Sequence, residues 1–174
     1  FLEFARPPKL VMKKMSPSLV VDSAVYLLEQ RMKSYHVTSR IVRDGMLAQT
    51  LIDPEQLKET IVNIIVNACE AMKNGGTLTI LEEEKLLDPL TKVDIIRISD
   101  DGDGIPEEIR DRVFDPFFTT KEEGTGLGLS IAFNIIHEHG GWLDVSSEPG
   151  RGACFVITLP VKEEPNEQDT GHRL

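Results

Sequence analysis

The stretch from Asp53 to Gly76 constrains the fold more than any other part of the chain. Asp53 offers a side-chain acceptor for a helix N-terminus, Pro54 suits the first helical position, and Asn74-Gly75-Gly76 ends the helix. Between them Leu57, Ile61, Ile64, Ile65, Ala68 and Met72 form an apolar face, which has to be buried against another element. The neighbouring segments indicate which one. Val37 to Val42, Thr77–Glu83, Val93–Ser99, Trp142–Ser147 and Ala153–Leu159 read as strands, the last two as a hairpin around Pro149-Gly150-Arg151-Gly152. Two more helices are expected. One runs from about Asp22, as N-cap, to Lys33, and one from Ser130 to Glu138. A loop surrounds Asp88-Pro89, a short helical turn covers about 106–112, and 113–124 reads as irregular. Strands mixed with three helices predict an α+β, two-layer sandwich with the helices on one face of a sheet.

Residues 1–18, with Pro7, Pro8, Pro17, Lys9, Lys13 and Lys14, read as the end of a preceding element and a linker. Residues 19–161 form the domain, and 162–174 read as a frayed, disordered tail. The chain starts without Met and reads as a piece of a longer protein. Its 174 residues carry 19 Lys+Arg against 29 Asp+Glu, a net charge of −10 that argues against general nucleic-acid binding. No apolar run approaches the roughly 18–20 residues of a membrane span, and the start is no signal peptide. Cys69 and Cys154 form no metal pattern and read as reduced thiols.

Four segments carry chemistry. Asn63 and Asn67 lie one turn apart on the long helix, and Glu59 and Glu70 extend their stripe opposite the apolar one. The stripe is either a solvated face or a ligand-facing one. In the second case an Asn carbonyl oxygen is a hard ligand suited to Mg²⁺. Ser99-Asp100-Asp101-Gly102-Asp103-Gly104-Ile105-Pro106 ends a strand. A calcium loop, a plain turn and a nucleotide pocket compete for it. Arg110 stands where a calcium loop needs a bidentate Glu. In a pocket, a buried carboxylate would accept from an exocyclic amine and so favour adenine over guanine. Gly124-Thr125-Gly126-Leu127-Gly128-Leu129-Ser130 opens a helix, as a flexible hinge or as an anion cradle. It is neither the dinucleotide fingerprint nor a P-loop. Phe114-Asp115-Pro116-Phe117-Phe118-Thr119-Thr120-Lys121 holds three of only seven Phe residues, as a core plug or with Lys121 paired to a terminal phosphate.

In this order the four segments resemble the ATP-binding catalytic domain of sensor histidine kinases, especially nitrogen-regulator-like ones, in the ATPase superfamily of gyrase B, Hsp90 and MutL. Asn63–Ala68 matches the N box. Asp100, Gly102 and Gly104 match the DxGxG of the G1 box, Phe114–Lys121 the F box, and Gly124–Leu129 the G2 box. Gly140-Gly141-Trp142 and Gly150 to Pro160 are similar to the family's final hairpin, so the resemblance covers about Asp22 to Val161. The opening Phe1–Pro7 resembles the segment after the family's phosphoacceptor hairpin.

The resemblance implies the Bergerat ATP-binding fold, a mixed, mostly antiparallel sheet of about five strands with three main helices on one face. It implies ATP and Mg²⁺ as ligands. Asn67 would ligate the metal, and Asn63 would support the phosphates or the metal. Asp100 would accept from the adenine amino group, and Gly102 and Gly104 would let the chain wrap the base. Gly124, Gly126 and Gly128 would let a lid close over the triphosphate, with Lys121 as partner of the γ-phosphate. Ile105, Phe117, Thr120, Thr125, Leu127 and Leu129 would complete the nucleotide contacts. The family's hydrolysing members place a Glu where this chain has Asn63, and an amide cannot deprotonate water. Transfer to a protein nucleophile is therefore expected over hydrolysis, with Glu70 polarising a water or the acceptor. His36, His137, His139 and His172 lack the family's phosphoacceptor context. The implied acceptor is a His hairpin outside this chain, and the onward partner is a response regulator receiver domain.

This implies a cytoplasmic kinase domain, monomeric alone and homodimeric in its parent protein, whether or not that parent is membrane-anchored. It is expected to bind ATP without labelling itself. The alternatives are a nucleotide-sensing module without transfer, or a protein-serine kinase or ATPase of the same superfamily.

Overall fold

Side-chain alternation builds the sheet. Ala153, Phe155, Ile157 and Leu159 of one strand are buried while the residues between them are half-buried, so one face is committed to a core. The computed structural model describes residues 9–163. In chain order these form β1 (Lys13–Met15), α1 (Pro17–Leu27), α2 (Glu29–Ser34), β2 (Val37–Val42), β3 (Thr50–Ile52), α3 (Pro54–Ala71), β4 (Gly76–Asp88), β5 (Thr91–Ser99), α4 (Glu107–Arg110), α5 (Gly128–Glu138), β6 (Trp142–Ser147) and β7 (Ala153–Pro160). The main sheet has five strands in the order β2-β4-β5-β7-β6. Only β2 and β4 pair in parallel, with α3 in the connection between them. A separate two-stranded ribbon joins β1 to β3.

The core lies between the sheet and α1, α3 and α5. Leu57, Ile61, Ile64 and Ile65 of α3 are fully buried against Leu78, Ile80, Ile96, Ile98 and Ile157 of the strands. Burial of such an aliphatic set is the main driving force for the two-layer arrangement. α3 packs between α1 and α5, so its opposite stripe is left at the rim of the sandwich. The predicted α+β sandwich, with five strands and three main helices, is the observed one.

Several local expectations are corrected. The first helix starts at Pro17 and is capped by Ser16, whose hydroxyl accepts from Ser18 N at 3.2 Å; Asp22 is instead an exposed partner of Arg43. That helix also breaks at Leu28 into α1 and α2. β1 and the start of α1 lie inside the stretch expected to be linker, so the folded unit begins ahead of residue 19. β3 is a strand that no alternation announced, because three residues are too few to show a period. The last helix starts at Gly128 rather than Ser130, and the β4–β5 hairpin runs on to Asp88. Most of the expected tail, from residue 164, lies outside the described residues, as do residues 1–8.

Candidate functional site

The stripe of α3 that faces away from the core forms one wall of a cavity of about 940 Å³. The turn after β5, the segment 118–129 and the first turn of α5 close the other sides, over a floor of Ala153 and Phe155 from β7.

One end is built by the turn after β5. Asp100 N donates to Ala153 O at 3.0 Å, which fixes the residue against β7. Its Oδ1 accepts from Gly102 N at 2.9 Å and from Ala153 N at 3.4 Å. Oδ2 accepts no hydrogen bond from the described residues and remains an acceptor for a ligand. Burial pushes the Asp100 carboxyl up from the ordinary aspartate range, opposed by the two backbone N–H groups. The glycines are sterically required. A Cβ on Gly102 would lie 2.6 Å from Ala71 O, and one on Gly104, at φ +75°, would lie 2.5 Å from Glu148 O. Of the other two acids only Asp101 has its carboxylate engaged elsewhere, while Asp103 lines the cavity. Asp101 Oδ1 accepts from Thr77 N at 2.9 Å, and Asp103 O accepts from Gly150 N at 2.7 Å. Among the described residues no group of three or more His, Cys, Asp or Glu side chains is placed to hold a metal ion.

The other end carries opposite charges. Lys121 Nζ donates to Asn67 Oδ1 at 2.8 Å and pairs with Glu70 Oε2. Glu70 Oε1 also lies 3.7 Å from Arg31 of α2. Asn63 points elsewhere. Its Nδ2 donates to Gly128 O at 3.3 Å and ties α3 to the first turn of α5. The segment between is pinned at its base, where Phe117 N donates to Gly126 O at 2.9 Å. Both residues have positive φ, 67° and 70°, and a Cβ on Gly126 would sit 2.4 Å from Phe117 C. Thr119 Oγ1 accepts from Lys121 N at 3.0 Å, and a Cβ on Gly124 would lie 2.4 Å from that same oxygen.

Most of the expected site residues meet in this cavity. Asn67 and Glu70 come from α3, and Asp100, Gly104 and Ile105 from the turn. Thr120, Lys121, Gly124, Thr125, Gly126, Gly128 and Leu129 come from the lid segment and α5. Asn63, Gly102, Phe117 and Leu127 do not line it. They shape it through the contacts above, with the Phe117 ring exposed and Leu127 O receiving the Ser130 hydroxyl at 2.9 Å. Phe118 lines the cavity instead, with the Arg112 guanidinium 4.6 Å above its ring. Phe114 is the core plug, packed on Phe133 and Phe155 at centroid distances of 5.3 and 6.2 Å.

Tyr35 at the end of α2 lines the cavity too, and Arg31 one turn earlier reaches Glu70. Nothing local in the sequence marks either, because only the packing of α2 beside α3 brings them there. His139 is structural. Its Nε2 accepts from Asp53 N at 3.0 Å while Nδ1 donates to Ile135 O at 2.7 Å, and burial pulls its pKa down. His36 and His137 are exposed, and His172 lies outside the described residues. Cys69 and Cys154 are free.

Comparison with known proteins agrees with this fold. The profile of the family described as histidine kinase-, DNA gyrase B-, and HSP90-like ATPase matches residues 52–163. Sensor histidine kinase ZraS of Salmonella typhi is 34% identical over 160 residues, which is 92% of this chain and 34% of that protein. The chain thus spans about a third of that relative's length. Among solved structures, the catalytic domain of histidine kinase ThkA matches at 28% identity with a TM-score of 0.76, over 88% of this chain and 100% of that one. ThkA in complex with response regulator protein TrrA also matches, at 26% identity and a TM-score of 0.76, over 92% of this chain and 45% of that one.

Proposed function

We propose, because this chain belongs to the histidine kinase-, DNA gyrase B-, and HSP90-like ATPase family, that it is the catalytic domain of a two-component sensor kinase and passes the γ-phosphoryl group of ATP to a histidine on a separate helical hairpin. One observation carries the reading. A single cavity has a carboxylate with a free oxygen at one end and a cation-seeking pair, Asn67 and Glu70, at the other.

The division of labour follows from the ends. Asp100 Oδ2 accepts from the adenine amino group, and the guanine carbonyl would face it with like charge. Gly102 and Gly104 let the turn close against the Ala71 and Glu148 carbonyls, which sets its path around the base. At the far end, the oxygens of Asn67 and Glu70 already hold the Lys121 ammonium, so the donor set suits a hard cation. Asn67 would hold Mg²⁺ there, and bound Mg²⁺ neutralises phosphate charge. Lys121 then has the γ-phosphate as its partner, and the N–H groups at the start of α5 face the anion.

Phosphoryl transfer requires chiefly positioning and charge neutralisation. The γ-phosphorus leaves its bridging oxygen and bonds to an imidazole nitrogen, and ADP departs. Asn63 cannot deprotonate water, which favours this route over hydrolysis. Glu70 is engaged by Lys121 and Arg31, which makes it a positioning residue. The described histidines lie outside the cavity lining, so the domain labels a partner rather than itself. The acceptor hairpin belongs to the same parent protein and holds that parent as a homodimer, while the isolated domain is monomeric. A response regulator receiver domain takes the phosphoryl group next, and the ATP supply places the domain in the cytoplasm. Among the described residues no helix is long and apolar enough to cross a membrane.

Incubation with γ-labelled ATP and a separately supplied hairpin tests the reading. The expected result is label on the hairpin histidine, none on this chain alone, and loss of transfer in Asn67→Ala. Phosphate release without label on the hairpin would contradict it.

A further inference from the structure

The charged chain from Arg31 through Glu70 and Lys121 to Asn67 joins three elements that are far apart in sequence. Arg31 belongs to α2, Glu70 and Asn67 to α3, and Lys121 to the lid. Arg31 NH2 lies 3.7 Å from one Glu70 oxygen, and Lys121 Nζ pairs with the other while donating to Asn67 Oδ1 at 2.8 Å. The lid backbone supports that placement, since Thr119 Oγ1 receives Lys121 N at 3.0 Å. A carbonyl oxygen offered to a divalent cation is thus covered by an ammonium carried on the lid.

We propose that Arg31 and Glu70 park Lys121 on the Asn67 oxygen in the nucleotide-free protein, so that lid and metal compete for one ligand atom. The proposal rests on the reading of the cavity as a Mg²⁺–nucleotide site. Glu70 acts as a positioning residue in this latch, with Arg31 fixing its carboxylate from α2. Entry of the metal expels the ammonium, which releases the lid. A nucleotide with a γ-phosphate gives the freed Lys121 a new partner, whereas a diphosphate does not. The latch therefore disfavours ADP over ATP before any chemistry takes place.

Two measurements test this. In calorimetry with Mg²⁺–ADP, Lys121→Met is expected to tighten binding at least threefold and to lower the Mg²⁺ concentration needed for half the effect. A lysine that serves only the γ-phosphate would leave ADP unaffected, so unchanged or weaker ADP binding overturns the latch. In limited trypsin digestion of the nucleotide-free protein, Glu70→Gln is expected to speed cleavage after Lys121 severalfold, with Glu70→Asp restoring protection at least in part. An unchanged cleavage rate in Glu70→Gln overturns the parked contact. The digestion needs no nucleotide. If wild type bound no adenine nucleotide, the functional reading would fail, and digestion would still decide the contact.

Discussion

Asp100 and Asp94 show how one residue type, half-buried in one setting and fully buried in the other, does two different things. Asp100 has hydrogen bonds on one oxygen only, and burial raises its pKa. A ligand amine needs the ionised acceptor, so affinity for an ATP analogue should fall as pH drops through that raised pKa. In Asp100→Asn the amide in place of the carboxylate should weaken binding about 10–100-fold, the loss of one charge-assisted hydrogen bond, and flatten the pH dependence. Calorimetry between pH 8 and 5 reads both. Asp94 on β5 is fully buried, and both its oxygens lack a hydrogen-bond partner. Burial first, and Glu84 second, push it up to about 7. The sign follows from linkage. The folded value lies above the unfolded one, so its penalty is absent at low pH, grows as pH rises from about 4 to about 7, and is complete above that. Asp94→Asn should therefore stabilise the domain by about 1–3 kcal/mol at pH 8 and by much less at pH 5, as read by urea unfolding at the two pH values.

At the scale of elements, α3 organises both layers. Its cap is fully used. Asp53 Oδ1 accepts from Glu55 N and Gln56 N, each at 3.1 Å, and Oδ2 accepts from Val11 N at 2.7 Å. Asp53→Ala should cost about 1–2 kcal/mol in a urea titration, the usual cost of losing a cap. The turn after β5 is as tightly built. Gly104→Ala would place a methyl group against Glu148 O on a left-handed backbone, and a loss of about 1–3 kcal/mol is expected together with weaker nucleotide binding. These two elements were legible because cap, proline, periodicity and glycines all act within a few residues. α2 was less so. Leu28 interrupts the apolar spacing only in its backbone, with φ −97° and ψ 5°, and no residue there marks a break. Asn63, expected to support the phosphates or the metal, bonds across to Gly128 at the cavity rim, a contact set by the packing of α3 on α5. Arg31 and Tyr35 escaped for the same reason.

For the whole molecule, two demands on α3 decide the architecture. Its apolar face closes the core, and its Asn/Glu stripe is thereby left facing the lid. The sandwich was readable from the order of strands and helices. The β1–β3 ribbon was not, since pairing between residues 13–15 and 50–52 leaves no local signature. A net charge of −10 would repel a triphosphate from most of the surface, so on the proposed reading binding is local, at the cavity whose lining carries Lys73 and Lys121. The most direct test is calorimetric titration of a non-hydrolysable ATP analogue and its guanine counterpart, with and without Mg²⁺, into wild type and Asp100→Asn. Saturable binding that prefers adenine, strengthens with Mg²⁺ and weakens in the variant is the predicted result. Absence of binding under every condition, or equal binding of the guanine analogue, would contradict the account.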